Sequence, residues 1–299
     1  LEFRRVLFRS LLHPGECCLE PGDTYTTPTL VGVYSAEGLT AATRGFHRHI
    51  RALPARPTTP RPVLLNTWEA VYFDHDTAQL KDLATAAANV GIERFVLDDG
   101  WFGSRRNTTS GLGDWYVARG VYPDGLAPLI AHVRSLGMEF GIWVEPEMMN
   151  PESDVFRAHP EWALVTEGYE AVYGRNQLVI DLARADAFDY VLNALDTLLS
   201  DHDIAYVKWD MNRPHVQGSG ASGAAGSSAQ THAVYRLLDA LRAKHPSVEF
   251  ESCAGGGGRI DVEMLRRVER VWTSDCNDAL ERQTIQQGAS MLLPYEVMG

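Results

Sequence analysis

From residue 63 onward, short apolar runs alternate with longer stretches in which apolar residues recur at helical spacing. A short apolar run bounded by turn residues indicates a buried strand, and the longer pattern indicates an amphipathic helix. The predicted strands span residues 63–68, 94–98, 139–145, 178–182, 205–210, 248–252 and 270–273, and another is expected to begin near Leu292. The predicted helices span residues 77–90, 126–136, 187–199, 231–244 and 278–290.

Repeated strand–helix units of this kind predict an α/β fold, and specifically a (β/α)8 TIM barrel rather than a doubly wound sheet. The strand near Leu292 would be the eighth, and because the chain stops within it, we expect a barrel truncated near strand eight. Side chains that accept hydrogen bonds from first-turn amides precede several helices. The predicted N-caps are Asp76, Asp186 and either Asn277 or Asp278.

The first 58 residues have a different pattern. Residues 1–10 (LEFRRVLFRS) are basic beside an acidic chain, and we interpret them as a cloning or sequencing-adaptor scar, with a targeting arm as the alternative. Residues 11–58 predict strands over 24–27 and 30–34, then a short helix ending near residue 52 and a proline-dense linker. We therefore expect a remnant of an N-terminal β-rich domain and its linker over residues 11–58 and the barrel over residues 59–299.

Residues 218–228 (GSGASGAAGSS) form a low-complexity stretch in the loop that follows the fifth predicted strand. Its composition favours a disordered insertion. An active-site lid is the alternative.

The charge of the chain restricts its partners. The formal net charge is −12 and the pI is near 5.3, which argues against nucleic acid or an anionic membrane as the main partner. No apolar run has the roughly 18 residues that a transmembrane helix needs.

The four cysteines have no CxxC spacing, so structural zinc is not expected. Their use fits a reducing compartment, and we expect a cytoplasmic protein.

Candidate chemistry falls at the carboxyl ends of the predicted strands, which is where barrel enzymes carry their active sites. The fifth strand runs into Lys208, Asp210 and Asn212, whose spacing of two places all three side chains on one face. Buried polar groups of this kind need partners. Carboxylates and tryptophans also end the other strands, with no cluster of histidines. This combination is typical of a carbohydrate site, in which acids bind hydroxyl groups and indole rings cover the apolar faces of the sugar.

Other readings of these residues have weaker support. Asp98 and Asp99 could bind a divalent metal, but no third ligand has suitable spacing, so we predict no metal. Lys208 could form a Schiff base, but Asp210 on the same face favours its charged, non-nucleophilic form. Cys253 would need a nearby histidine to act as a nucleophile, and none of the ten histidines ends a strand.

Two further patterns stay open. The glycines at 255–258, followed by Arg259, could cradle a phosphate, although a GK[ST] ending is absent and close backbone approach to a sugar is an equal use. Glu145 and Glu147 form a rival carboxylate pair that could instead tie neighbouring loops together. Among the tryptophans, we expect Trp68 and Trp101 to line the pocket.

Taken together, the strand ends resemble the bacterial α-galactosidases of glycoside hydrolase family 36. The resemblance covers the chain from about residue 63 to the end. The motifs that carry it are LDDGWFG (97–103), WVEPEMMNP (143–151), RNQLV (175–179), KWDMNR (208–213), ESCAGGGGR (251–259) and WTSDCNDA (272–279).

The resemblance implies a retaining α-galactosidase whose catalytic (β/α)8 barrel lies between an N-terminal β-sandwich domain, of which residues 11–58 would be a remnant, and a C-terminal β domain. It assigns Asp210 as the nucleophile and Asp275 as the general acid/base. It implies no cofactor, an α-galactoside oligosaccharide of the melibiose or raffinose type as substrate, and a homo-tetramer for the full-length protein. The implied substrate-binding residues are Asp98 and Asp99 at the 4- and 6-hydroxyls with Trp68 beside them, Lys208 and Arg175 at the ring hydroxyls, and Asn212, Cys253 and Gly255 around the 2-hydroxyl.

Asp210 is expected to stay ionised beside Lys208, while Asp275 is expected to hold a proton at rest. We prefer Asp275 to Asp278 as the acid/base because Asp278 opens the next helix and can cap it. Ala254 stands where the family usually has serine, and Cys276-Asn277 also depart from its pattern, so these positions affect specificity rather than mechanism. The alternatives are an α-N-acetylgalactosaminidase, a galactosyl transferase, a lysine-dependent lyase and a non-catalytic sugar-binding fragment.

Overall fold

The computed structural model describes residues 16–219 and 226–299. Within this part of the chain, eight strands form: β1 (Leu64–Asn66), β2 (Arg94–Leu97), β3 (Glu139–Val144), β4 (Met148–Met149), β5 (Leu178–Val179), β6 (Tyr206–Trp209), β7 (Glu249–Ser252) and β8 (Arg270–Val271). The helices are α1 (Leu39–Arg51), α2 (Trp68–Val71), α3 (Thr77–Asn89), α4 (Ala127–Ser135), α5 (Asp154–Ala158), α6 (Ala185–Asp201), α7 (Ser227–Lys244), α8 (Val262–Leu265) and α9 (Ala279–Ala289), with 3-10 turns at Pro160–Trp162 and Tyr295–Val297.

Six of the strands form one parallel sheet in the order β1-β2-β3-β6-β7-β8. Helices connect successive strands, because parallel neighbours can be joined only by a crossover. The sheet is curled into part of a barrel. A parallel bridge from Val271 to Met298 places the backbone at Met298 beside β8. The predicted fold class, an α/β fold with a curled parallel sheet of the (β/α) barrel type, is therefore confirmed.

The predicted fourth strand does not join this sheet. Leu178–Val179 pairs antiparallel with Met148–Met149 in a separate two-stranded ribbon, and β3 pairs directly with β6. The strand that carries Lys208 is consequently the fourth of the sheet rather than the fifth, and Arg270–Val271 is the sixth rather than the seventh. A short buried run has the same apolar pattern in a ribbon and in a barrel, so only the pairing separates the two.

The expected strand near Leu292 is also wrong in position. Residues 291–294 contain no strand, and the backbone first pairs with β8 at Met298. The connection from α9 instead passes through the 3-10 turn Tyr295–Val297.

At the N-terminal side, the strands expected over 24–27 and 30–34 do not form among the described residues. An extended segment becomes a strand only when a partner strand completes its hydrogen bonds, and none pairs with residues 16–38 in this part of the chain. The predicted short helix is the longer α1, which contacts the other end of the chain through His47 and Arg51. His47 Nε2 lies 2.8 Å from the Ser290 carbonyl oxygen, and Arg51 pairs with Glu296. The β-rich domain remains a prediction.

Two of the three predicted N-cap sites cap a helix. Asp76 accepts a hydrogen bond from Gln79 N at 2.8 Å, and Asp278 accepts from Leu280 N and Glu281 N at 3.0 Å, which confirms both as N-caps. The prediction for Asp186 is wrong, because α6 already begins at Ala185 and Asp186 lies within its first turn. Helix α3 buries Leu80, Ala84 and Ala87, spaced by four and three residues. This stripe holds the helix against the sheet.

Residues 1–15, which include the proposed scar, and residues 220–225 of the glycine-serine stretch lie outside the described residues. No helix in the described ranges has the length and apolar character to cross a membrane.

Candidate functional site

The register of the sheet aligns polar side chains across the barrel interior. Lys208 on β6 is the partner of Trp143 on β3 and of Glu251 on β7, and Glu251 is in turn the partner of Arg270 on β8. A cavity of about 790 Å³ lies against this row and reaches the carboxyl ends of the strands. Eight of the eleven predicted site residues line it: Trp68, Asp98, Asp99, Arg175, Lys208, Asp210, Asn212 and Asp275.

Asp210 follows the last residue of β6 and is 6% exposed. Four groups donate hydrogen bonds to its carboxylate. Oδ2 accepts from Trp143 Nε1 at 3.1 Å and from Asn212 Nδ2 at 2.6 Å, and Oδ1 accepts from Met211 N at 2.8 Å and Gly255 N at 3.4 Å. Donors on both oxygens fix the orientation of the carboxylate. The carboxylate is thus held in place at the wall of the cavity.

Asp275 has different surroundings. It is exposed, and its Oδ1 accepts one hydrogen bond from Trp272 Nε1 at 3.0 Å. Trp272 is itself positioned between two cations, with the Arg282 guanidinium 4.3 Å and the Lys208 ammonium 6.0 Å from its ring centroid. Of these two carboxylates on the cavity, Asp210 is therefore buried and multiply hydrogen-bonded, whereas Asp275 is accessible.

Asp98 and Asp99 are adjacent in sequence but have different partners. Asp98 accepts from Asn66 Nδ2 at 2.5 Å and lies 3.4 Å from Lys208 Nζ. Asp99 forms a buried ion pair with Arg105 at 2.8 Å. Burial raises the pKa of Asp99, and the Arg105 guanidinium limits that rise. Among the described residues, no group of histidine, cysteine and acidic side chains has an arrangement that could hold a metal.

Lys208 is held as an ammonium ion. Burial by itself would lower its pKa, but Asp98 and the other acidic groups around it raise the pKa well above the ordinary value. A permanently charged lysine is a hydrogen-bond donor and not a nucleophile. This environment argues against the Schiff-base reading of Lys208.

The two tryptophans expected in the pocket have different positions. Trp68 lines the cavity, and its ring contacts Tyr72 and Phe73 edge-on at 5.1 Å. Trp101 is fully buried, and its indole donates to the Trp143 carbonyl at 2.8 Å. The prediction that Trp101 lines the pocket is wrong, because the turn after β2 breaks the strand alternation and directs its ring into the core.

Arg175 reaches the cavity from the loop before β5, where it is exposed. Its Nη1 lies 3.5 Å from Asn212 Oδ1, and Asn212 Nδ2 donates to Asp210. The structure therefore brings Arg175, Asn212 and Asp210 together, although Arg175 is distant in sequence from the other two.

Cys253 and Gly255 contribute from behind Asp210 rather than from the cavity wall. Gly255, with φ 52°, directs its amide at Asp210 Oδ1. Cys253 is buried, and burial together with the Asp210 carboxylate raises the pKa of its thiol. A thiol in this state is inert, so a cysteine nucleophile has no support.

Glu145 and Glu147 separate into two roles. Glu147 accepts from Trp209 Nε1 at 2.8 Å and pairs with Arg259 at 2.8 Å, so it ties neighbouring loops together. Glu145 is fully buried beside the cavity, where its Oε1 accepts from Asn212 N at 2.5 Å. The pKa of Glu145 is raised to about 8, mainly because the carboxyl group is buried and secondly because of the negative charge of Asp210.

Sequence reasoning missed several groups that support the site. Residues two apart in a strand lie on the same face, so Trp143 shares a face with Glu145. This spacing was a usable signal that the Trp143 indole would contact Asp210. Asn66 similarly ends β1. Trp272 opens the motif that contains Asp275, but nothing local indicated that its indole would bind that carboxylate. The ion pair of Arg105 with Asp99 had no signal in the sequence, because it depends on how the loop after β2 folds back.

Comparisons with known protein families, sequences and structures give one consistent result. A family model for melibiase matches residues 24–299. The α-galactosidase of Escherichia coli is 52% identical over 298 residues, which are 99% of this chain and 42% of that protein. The α-galactosidase AgaA of Geobacillus stearothermophilus is 42% identical over 290 residues, or 94% of this chain and 40% of the relative.

The crystal structure of AgaA, described as a GH36 α-galactosidase, superposes with a TM-score of 0.90 at 41% identity, covering 94% of this chain and 40% of that one. Structures of AgaA variants in complex with stachyose and with raffinose match with TM-scores of 0.89 and 0.85. The chain spans about two fifths of the length of these relatives. It belongs to the melibiase family, the α-galactosidases of glycoside hydrolase family 36.

Proposed function

We propose that this protein is a retaining α-galactosidase that removes terminal α-D-galactosyl residues from oligosaccharides. The observation that carries the proposal is the contrast between two carboxylates on one cavity. Asp210 is buried and receives four hydrogen bonds, while Asp275 is exposed and receives one from Trp272. Two carboxyl groups in unlike surroundings are what a nucleophile and an acid/base require.

In the first step, an oxygen of Asp210 forms a bond to the anomeric carbon as the glycosidic bond breaks. Asp275 gives its proton to the departing oxygen. In the second step, Asp275 takes a proton from water, whose oxygen attacks the anomeric carbon and displaces Asp210. Each step inverts the configuration at the anomeric carbon, so the two steps together retain it. Retention predicts roughly 5–5.5 Å between the two carboxyl groups.

The remaining polar residues suit a galactosyl ring. Asp98 and Lys208 form a charged pair 3.4 Å apart on the cavity wall, where each can exchange hydrogen bonds with sugar hydroxyls. Trp68 supplies an apolar surface for the ring. The family's AgaA has been crystallised with stachyose and raffinose, and these complexes support α-galactosyl oligosaccharides as the substrate class.

Trapping with 2-deoxy-2-fluorogalactosyl fluoride tests the assignment of the nucleophile. The expected result is a stable adduct on the peptide that contains Asp210. A label on Glu145 or on Asp275 would overturn the assignment. The anomer first released from a nitrophenyl α-galactoside, followed by proton NMR, tests retention separately.

The two carboxylates should respond differently to substitution. Asp210→Asn should lower turnover of every α-galactoside by at least about 10³-fold, since no covalent bond can form. Asp275→Asn should lower raffinose cleavage by about 10²–10⁴-fold but affect bond breaking in a nitrophenyl galactoside much less, because nitrophenolate leaves without protonation. Equal losses on both substrates would contradict the acid/base role of Asp275.

A further inference from the structure

The loop that presents Arg175 ends in a tight two-residue turn. Gly174 and Gln177 pair across it, with Gly174 N donating to Gln177 O at 3.3 Å and Gln177 N donating to Gly174 O at 2.9 Å. The central residues, Arg175 and Asn176, both have positive φ, 54° and 61°. Turns of this kind strongly prefer asparagine and glycine at the centre. Arginine is a poor choice there, so the surrounding structure must stabilise the conformation.

Arg213 lies beneath this turn. It is 1% exposed, and its Nη2 donates to the Val172 carbonyl. A Cβ placed on Gly174 would lie 3.1 Å from Arg213 Cγ and 3.2 Å from its Nε, so the backbone of Gly174 rests directly on the arginine side chain. Gly174 does not have positive φ, and its lack of a side chain therefore serves this close approach.

The environment of Arg213 is unusual for a buried cation. Its Nε and Nη1 have no hydrogen-bond partner among the described residues, and no salt bridge joins it to an acidic group in that part of the chain. Burial lowers its pKa. Burying a charge without a partner is costly, so its contribution to net stability is unfavourable. Its one hydrogen bond among the described residues is to Val172, in the loop that carries Arg175.

The same loop is fastened to the segment after Asp210 at a second point. Gln217 accepts from Val172 N at 2.7 Å and donates to Glu170 O at 2.8 Å. On its other side, Asn150 donates to Asn176 O at 2.6 Å. The loop is thus held by Arg213 and Gln217, which follow the proposed nucleophile in the chain, and at Asn176 by Asn150.

We propose that Arg213 is a positioning residue for sugar binding: it supports the turn at residues 174–177 so that Arg175 reaches Asn212 and the substrate. Arg213 itself contacts no substrate in this arrangement. It links the conformation of the Arg175 loop to the segment that begins with Asp210. The inference rests on the proposed function only in taking Arg175 as a sugar-binding group.

Amide hydrogen exchange tests the structural half of this proposal without any turnover. In Arg213→Ala, exchange over residues 170–178 should rise by about tenfold or more, while exchange in β2 and β3 stays unchanged. Arg213→Lys should restore part of the protection, because it keeps a donor but not the flat guanidinium. The surface variant Arg134→Ala is the control. Unchanged exchange over 170–178 would overturn the proposal.

Gly174→Ala is a second test of the same contact. It leaves Arg213 in place, so it can be used even if the Arg213→Ala variant does not fold. The added methyl group would press on Arg213 and should raise exchange over the same residues. A variant that folds with wild-type exchange and wild-type affinity would show that the contact does not position the turn.

A double-mutant cycle tests the functional half, with affinity for 1-deoxygalactonojirimycin measured by calorimetry. If Arg213 acts through Arg175, each single alanine variant weakens binding and the double variant binds no worse than Arg175→Ala. If the fold-loss of affinity in the double variant equals the product of the two single losses, the proposal is overturned. If the wild-type protein does not bind the iminosugar, the proposed function is wrong, and the exchange experiment alone decides whether Arg213 holds the turn.

Discussion

At the scale of single residues, the site is defined by polar groups that the fold buries although they lose favourable hydration there. Asp210 is compensated by four donors. Glu145 is less well compensated: it is fully buried, accepts from Asn212 and Gln177, and lies close to the charge of Asp210. A proton on Glu145 removes the repulsion between its carboxyl group and the Asp210 carboxylate.

The pKa of Glu145 makes stability depend on pH. Its folded pKa of about 8 lies above the ordinary value of 4.5. Between these values the folded state holds more protons than the unfolded state, so this group makes stability fall as pH rises from 4.5 to 8. Glu145→Gln removes the effect. The free energy of unfolding of Glu145→Gln, relative to that of the wild-type protein, should therefore increase by up to about 3 kcal/mol from pH 5 to pH 7.

Urea denaturation of the two proteins at matched pH values measures this difference, because the contributions of all other titrating groups cancel. A difference that stays constant from pH 5 to pH 8 would show that Glu145 is ionised throughout.

At the scale of elements, the connection from β8 to α9 assigns separate tasks to two nearby carboxylates. Asp275 faces the cavity, whereas Asp278 accepts hydrogen bonds from the first-turn amides of α9. The helix in turn carries Arg282, which donates to the Ser274 carbonyl at 2.9 Å and packs on the Trp272 ring. The cap at Asp278 therefore helps to hold the indole that binds Asp275.

Substitution should separate these tasks. Asp278→Ala should lower the free energy of unfolding by about 1 kcal/mol because two amides lose their acceptor, whereas Asp278→Asn should have a much smaller effect. Asp275→Asn should leave the unfolding free energy nearly unchanged and reduce cleavage of raffinose. Denaturation curves and a cleavage assay on the three variants measure both properties. Loss of cleavage in Asp278→Asn at unchanged stability would reassign the acid/base.

At the scale of the whole molecule, charged side chains inside the barrel connect strands that are distant in sequence. Glu249 on β7 accepts from Arg94 on β2 at 2.9 Å and from Arg270 on β8 at 2.6 Å, and Arg94 also pairs with Glu139 on β3 at 2.7 Å. Arg270 further donates to the Glu296 carbonyl at 2.6 Å. The network crosses the barrel interior, at the opposite end from Asp210, and its members compensate one another's burial.

Removing one member should therefore cost more than losing a surface ion pair. Arg270→Met should lower the free energy of unfolding by about 3–5 kcal/mol, because Glu249 loses a buried partner. The control is Arg134→Ala, which breaks an exposed pair with Asp203 and should cost at most about 1 kcal/mol. Thermal or urea unfolding measures both. Equal effects would show that the buried network contributes no more than a surface pair.

Much of this organisation was readable from the sequence. The alternation of apolar runs and helical stretches determined the α/β barrel, because each period reports which face of an element is buried. The N-caps Asp76 and Asp278 were predictable for the same local reason. Asp98, Lys208, Asp210 and Asp275 stood at strand ends, where the carboxyl edge of a parallel sheet brings them together.

The tertiary structure decided what depends on pairing between distant segments. Leu178–Val179 has the pattern of a barrel strand, yet it joins β4 because register and partner are not local properties. Trp101 turns into the core, Arg105 takes Asp99 as a partner, and Arg213 lies beneath the turn that presents Arg175. In each case the sequence determined the chemical character of the side chain. Where the side chain points depends on loops that fold back over the sheet, and those contacts exist only in three dimensions.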